Sequence, residues 1–434
     1  MPIYPEAACN ALFHPSDIRV NIVLTKVLPA AQRGDLAIAL AQLQALRERF
    51  PGADISVLSR CPDDDAHWFE HADSVASELF PQADEPFYRR LLRFMHILFG
   101  WGGDAVLDEG RKIIESANVL VFCGGGSPGG YGFGNLLLNA WCPMRLARRS
   151  GVPIVFTGLG IVRPRGFLHN RLRSRVWNDA NAVAVRDPLS FDQVQTMNPG
   201  ARIGLTADWA WLLPAADRQT ALSLLAGEGL PANGKLRVGV NLRSRHASGP
   251  DGKRAGAADS AGRALLDCLS ALVERLDADV VVFSMNGPPA SDDLAYAREL
   301  LSAIDPKYKG RFHLLEGEHH PSKIKAMVAM MDLFIGTRLH PSLFAVSTGV
   351  PTVTVHDQAK VRGFMQQVGL EDWHLPASGL EPEKLEQLVL DLHARGEDIS
   401  AQLKSLIPEM EKAAKINLEW VSAVLTEHGG ERSF

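Results

Sequence analysis

The residues best suited to chemistry lie in the stretch Ile335-Gly336-Thr337-Arg338-Leu339-His340-Pro341-Ser342. It follows an apolar run and precedes an apolar helix, so Arg338 and His340 fall in a strand-to-helix turn. Histidine can give or take a proton near neutrality. A guanidinium two residues away offers a planar fork for a carboxylate or phosphate. A lone turn histidine is more often structural; the neighbouring arginine makes this pair a candidate catalytic centre. Arg186, in Val185-Arg186-Asp187-Pro188-Leu189-Ser190, ends another apolar strand, and Asp187 can cap the helix that Pro188 opens. Arg243, in Asn241-Leu242-Arg243, mirrors Arg186 at the end of the first strand of the second half. Lys360 sits in the helix after the strand that Gly349-Val350-Pro351 introduces.

A different signal is Gly124-Gly125-Gly126-Ser127, directly after Val119–Phe122, with more glycines before a helix near Asn135. Such a turn lets backbone N–H groups approach an anion, so Gly125, Gly126 and Ser127 are candidate ligand contacts. No Gly-Lys-Ser/Thr follows, which excludes a P-loop. A purely structural turn reads as well. Gly158-Leu159-Gly160 and Gly336 mark further strand edges where backbone could approach a ligand.

These residues need a scaffold, and the apolar pattern describes one. Short Val/Ile-rich runs alternate with helical stretches: Val20–Leu24, Ile55–Leu58, Val119–Phe122, Ile154–Thr157 and Ala182–Val185. After a break from Leu213-Pro214 to Pro231-Ala232-Asn233-Gly234 the rhythm restarts with Arg237–Asn241, Val280–Ser284, Phe312–Leu315, Leu333–Ile335 and Thr352–Val355. This is the βαβ alternation of parallel sheets. It predicts an α/β protein of two doubly wound, Rossmann-like domains, 15–214 and 235–398, facing each other across a cleft. A last helix over 399–426 is expected to pack back on the first domain. Ligands of such sheets bind beyond the carboxyl ends of the strands. The Gly- and Ala-rich stretch 246–262 reads as a surface loop or a lid, and 429–434 as a frayed end.

Composition agrees with a soluble globular chain: 434 residues, 46% hydrophobic and 22% charged. That rules out disorder and collagen. A net charge of −5 does not point to nucleic acid. Five cysteines without ligand spacing argue against a disulfide framework or a structural zinc, and for a reducing cytoplasm. His319-His320 lacks an evident third ligand and reads as surface. No signal peptide is visible, and the uncharged stretch Ser116 to Met144 is too broken by Gly and Pro to span a membrane. Cys142 to Asn178 carries eight arginines and no Asp or Glu. It is either a solvated face or a surface for phosphate or an anionic, membrane-borne substrate.

Taken together the motifs resemble the polysaccharide pyruvyl transferase family. The resemblance rests on Gly124–Ser127, Gly158-Leu159-Gly160-Ile161, Val185-Arg186-Asp187 with Ser190, Thr206-Ala207-Asp208, Asn241-Leu242-Arg243 and Gly336-Thr337-Arg338-Leu339-His340. Arg33-Gly34-Asp35 and Ser59-Arg60 also look like colanic-acid-type bacterial members. Two stretches depart from the family: Ala30-Ala31-Gln32 stands where many members have Gly-Asn, and Val355-His356-Asp357 where relatives often carry tyrosine. The resemblance implies a GT-B-like fold and transfer of pyruvyl from phosphoenolpyruvate onto two hydroxyls of a sugar, in exopolysaccharide or cell-surface glycan synthesis. It implies His340 as acid, Arg338 and Arg186 as donor clamps, and Arg243 and Lys360 as charge stabilisers. Asp35 and Asp208 would serve on the acceptor side. The expected partners are phosphoenolpyruvate and a sugar or lipid-linked oligosaccharide, with neither metal nor cofactor. The expected location is the cytoplasm, with peripheral contact at the inner membrane. A nucleotide-sugar glycosyltransferase or a silent binder of acidic glycans are the alternatives.

Overall fold

The computed structural model describes residues 20–80, 87–100, 104–126, 133–161, 166–197, 200–243, 260–288 and 291–429. Ser127, most of 246–262 and the end after 429 lie outside them; from Ser260 onward the chain is already helical. The chain divides into two compact units. Of the described residues, the first holds 20–30, 38–212 and 411–429, and the second holds 31–37 and 213–410.

The first unit is built on strands β1 (Asn21–Val27), β2 (Asp54–Ser59), β3 (Ser74–Ser77), β4 (Val119–Phe122), β5 (Gly125–Gly126), β6 (Ile154–Gly160), β7 (Ala182–Val185) and β8 (Arg202–Leu205). They lie in the order β3-β2-β1-β4-β6-β7-β8, with β5 beside the end of β6, and every pairing is parallel. The central strands are short apolar runs because helices cover both faces; β4 and β7 are buried at every residue. The sequence pattern finds these and misses β3 and β8. Those are the sheet's two edges, where Ser, Arg and Gly suffice.

The second unit holds β9 (Arg237–Asn241), β10 (Asp279–Phe283), β11 (Phe312–Leu314), β12 (Leu333–Gly336), β13 (Thr352–Val355) and β14 (His374–Leu375). Their order is β11-β10-β9-β12-β13-β14, all parallel. Strand order reverses between β9 and β12, which opens a crevice beyond their carboxyl ends. The register pairs Ile335 with Val240 and Gly336 with Thr354, so the residues after β9, β12 and β13 emerge side by side.

Three local readings change. The break expected between the halves contains a helix, Arg218–Gly227, capped by Asp217 and packed on the Pro321–Val328 helix of the second unit. The helix expected from Asn135 to Ser150 begins at Phe133 and passes through a π turn at Leu137–Trp141. The last helix runs Gly396–Gly429, and its residues from Glu411 belong to the first unit. There the buried Asn417 accepts from the Gly158 N–H (2.8 Å) and the Thr206 hydroxyl (3.0 Å) and donates to the Ala207 carbonyl (3.0 Å).

Candidate active site

In the second unit the turn after β12 is held by its own side chains. The Thr337 N–H donates to Asn241 Oδ1 and its hydroxyl to the Asn241 carbonyl, both at 2.9 Å. A Cβ on Gly336 would fall 1.8 Å from Ser342 Oγ. Glycine is therefore needed for the Ser342 hydroxyl to reach the Arg338 carbonyl (2.7 Å). Arg338 Nη2 donates to Ser291 Oγ (2.9 Å) and to Asp293 Oδ1 (2.6 Å). Asp293 is buried, which pushes its carboxyl up, while the Arg338 guanidinium pulls it down. The arginine is thus oriented before any ligand arrives. Sequence reasoning missed Asp293; its only signal is an acidic pair, Asp292-Asp293, at a helix start.

His340 occupies the first turn of the Leu339–Val346 helix and is half-buried. Gly34 packs directly on its ring: a Cβ there would lie 2.1 Å from Nδ1 and 2.6 Å from Cγ. Arg33-Gly34-Asp35, expected on the first domain's side, is grouped with the second unit. The cause is backbone pairing. Gln32 bridges Asn286, the Arg33 N–H donates to the Met285 carbonyl (3.0 Å), and the Gly287 N–H donates to the Ala31 carbonyl (2.9 Å). Arg33 also forms an ion pair with Glu318. Asp35, half-buried, travels with this segment.

Beside these residues lies a cavity of about 290 Å³, with Leu242, Arg243, Tyr296, Thr337, His356 and Gln358 in its wall. His356 is buried, and its Nδ1 accepts from the Gln358 N–H at 2.8 Å. Its Nε2 faces Arg243 Nη1 at 2.9 Å. Burial first, then the positive charges of Arg243, Lys360 and Arg338, push this imidazole down to about 3. It is neutral at physiological pH. A neutral imidazole has one acceptor nitrogen, yet two N–H donors are aimed at it. Arg243 Nη1 and the Gln358 N–H thus converge on this ring, and Asp357 lies in the same wall.

Arg186 and Asp208, read separately as a donor clamp and an acceptor group, meet in the first unit as one buried ion pair, Nη1 to Oδ2 at 2.5 Å. Asp208 Oδ1 also accepts from the Ala210 N–H (2.9 Å). The guanidinium lies over Gly160, where a Cβ would come within 2.7 Å of Nη2. Asp187 caps the following helix through the Ser190 N–H (2.8 Å), and the Ser190 hydroxyl accepts from the Ile161 N–H (2.8 Å). The glycines of this unit answer mainly to packing. A Cβ on Gly124 would press on Ile38 and Trp209 at 3.0 Å; Gly125 and Gly158 sit at φ +95° and +56°. A Cβ on Gly126 would meet open space. Of the expected site residues, His340, Arg338, Arg243, Lys360 and Asp35 thus belong to the second unit. Arg186, Asp208, Gly125 and Gly126 belong to the first.

Among solved structures the chain is similar to a UDP-GlcNAc 2-epimerase from Neisseria meningitidis bound to UDP-GlcNAc, with a TM-score of 0.59, 10% identity and coverage of 93% of this chain and 99% of that one. It is likewise similar to HepE from Anabaena in complex with UDP, at 0.57 and 12%, covering 94% and 100%. A glycosyltransferase from Rickettsia africae matches at 0.57 and 10%, covering 94% and 99%. At these identities the likeness shows the fold, a GT-B-like pair of α/β units. The polysaccharide pyruvyl transferase family matches residues 33–355, a span that begins at the arginine beside Gly34 and ends with β13. It takes in the Gly34–His340 contact, the Arg186–Asp208 pair and the turn that orients Arg338, and on it the chain belongs to the polysaccharide pyruvyl transferase family.

Proposed function

We propose that the protein transfers the pyruvyl group of phosphoenolpyruvate onto two hydroxyls of a sugar, releasing phosphate and forming a ketal, and that the donor is held in the second unit. The observation that carries this is the group of positive charges at the cavity wall beyond the carboxyl ends of β9, β12 and β13. There Arg243 meets a neutral His356, with the charges of Lys360 and Arg338 close by. Phosphoenolpyruvate presents a carboxylate and a phosphate, so its recognition calls for several fixed cations.

In this reading His340 protonates the methylene carbon C3 as a sugar hydroxyl oxygen bonds to C2. The first hydroxyl's proton is lost to the surroundings and replaces the one taken up by C3. The second hydroxyl then attacks C2, the C2–O bond to phosphate breaks, and the phosphate leaves with the second proton. Arg338, pre-aimed by Asp293 and Ser291, holds donor charge, and Arg243 and Lys360 stabilise the departing phosphate. Arg186 supports the acceptor side through its pair with Asp208. Asp35, on the segment that carries Gly34, is a contact of the acceptor in this reading. The fold is shared with proteins solved with UDP or UDP-GlcNAc, so a nucleotide-sugar reaction is the competing outcome.

The test is phosphate release from phosphoenolpyruvate with candidate glycan acceptors, for the wild type and His340→Ala. Release that falls by at least about a hundredfold in His340→Ala supports the reading. Full turnover in that variant, or a melting shift with UDP-sugars and none with phosphoenolpyruvate, overturns it.

A further inference from the structure

The first unit carries an outward surface that the reaction does not use. The helices Phe87–Phe99, Phe133–Leu136, Cys142–Arg149 and Phe167–Asn178 share one side of its sheet, since Ile97, Leu136, Leu146 and Trp177 enter the same core cluster. Each of the two outer helices has a firm inner face. The first buries Arg93 and Ile97, with Arg93 Nε on Asp104 (2.8 Å), and Arg149 Nη1 donates to the Ile97 carbonyl (2.6 Å). The second buries His169, Arg173, Val176 and Trp177.

Their outer faces are apolar where solvent-facing helices are normally polar. Phe167 and Leu168 are 76% and 69% exposed, and Tyr88, Leu92 and Phe99 are each more than half exposed. Interleaved with them are the exposed arginines Arg89, Arg90, Arg171 and Arg175. Neither helix contains an Asp or Glu. Among the described residues, Asp104 pairs with Arg93, and Asp179 pairs with Arg148 and with Arg175 at the end of the second helix. Phe, Leu and Tyr beside arginines, with no Asp or Glu in either helix, is the pattern of helices that lie in the interface of an anionic bilayer. No helix among the described residues is long and apolar enough to cross a membrane. A second copy of the chain is a poor occupant, since a two-fold contact would set these arginine rows against each other.

We propose that this helical face of the first unit docks the protein on anionic lipid, with Phe167 and Leu168 entering the headgroup boundary and Arg89, Arg90 and Arg171 holding lipid phosphates. This does not depend on the pyruvyl-transfer reading. Such docking would bring the enzyme to a lipid-linked acceptor.

The test is sedimentation of the full chain with vesicles of phosphatidylcholine alone or with about a third phosphatidylglycerol. Wild type should bind the anionic vesicles only, and release in high salt. Phe167→Ser/Leu168→Ser and Arg89→Gln/Arg90→Gln/Arg171→Gln should each weaken binding by about tenfold or more. Because all five side chains are exposed, melting temperature and turnover of a soluble acceptor should hold. Failure of wild type to bind anionic vesicles, or variants that bind as well as wild type, overturns the proposal. So does a wild-type dimer that Phe167→Ser/Leu168→Ser turns into monomer, which would make the face a protein interface.

Discussion

The contact of Gly34 with His340 makes a sharp prediction. An alanine methyl at position 34 would sit 2.1 Å from the imidazole Nδ1, about 1.3 Å inside ordinary van der Waals contact at 3.4 Å. Gly34 lies in the first turn of the Arg33–Arg49 helix and is not among the glycines with positive φ. Its backbone can therefore accept alanine, whose helix propensity is better by about 1 kcal/mol. Only the clash opposes the change. Overpacking of this depth costs about 1–3 kcal/mol, so Gly34→Ala should be net neutral to about 2 kcal/mol destabilised. The ring must move by roughly 1 Å, and displacing the proposed proton donor that far can cost about a hundredfold in turnover. Initial rates of phosphate release and thermal melting read both effects. The double variant Gly34→Ala/His340→Ala supplies the control: with the imidazole gone the methyl fits, and the propensity gain should show as higher stability than His340→Ala alone. If Gly34→Ala melts and turns over like the wild type, or if it destabilises equally with and without His340, the packing argument is wrong.

Other expectations follow from the same structure. His356 is held neutral, its pKa lowered from the usual 6.5 to about 3. A depressed histidine stabilises fully above the unfolded value of about 6.5, and that contribution is lost at up to about 1.4 kcal/mol per unit as pH falls towards the folded value. His356→Asn, whose side-chain oxygen can still accept from Gln358, should flatten this acid limb; chemical denaturation at several pH values measures it. Arg243→Ala should raise KM for phosphoenolpyruvate by about tenfold or more, read from phosphate release at varied donor, with the melting temperature nearly unchanged. Asn417→Leu strands the buried Gly158 N–H and Ala207 carbonyl, so it should cost about 2–4 kcal/mol in denaturant titration.

Much of the scaffold was legible in the chain. Runs such as Val119–Phe122 and Ala182–Val185 are buried on both faces of parallel sheets, so local sequence has to be continuously apolar there, and it names the strand almost to the residue. Asp187 before Pro188 announced its own helix cap for the same reason: the capping bond spans three residues. The edge strands β3 and β8 left no such mark, because an edge is buried on fewer sides. What local pattern could not decide was which distant side chains meet. Arg186 and Asp208 are 22 residues apart and looked like two roles, but burial made them one ion pair, since an unpaired charge could not have stayed there. Gly158 and Gly160 looked like ligand-approach turns; the left-handed backbone and the Trp209 ring at Gly158, and the Arg186 guanidinium at Gly160, are what require them. Gly34 and His340 are separated by more than three hundred residues, and only the pairing of 31–33 with 285–287 brings the glycine onto the ring. Sequence alone determined the kinds of chemistry available and the sheets that carry them, because those follow from residue type and short-range periodicity. Tertiary structure alone decided the partners, because contacts are set by how sheets and helices pack, and packing has no local signature.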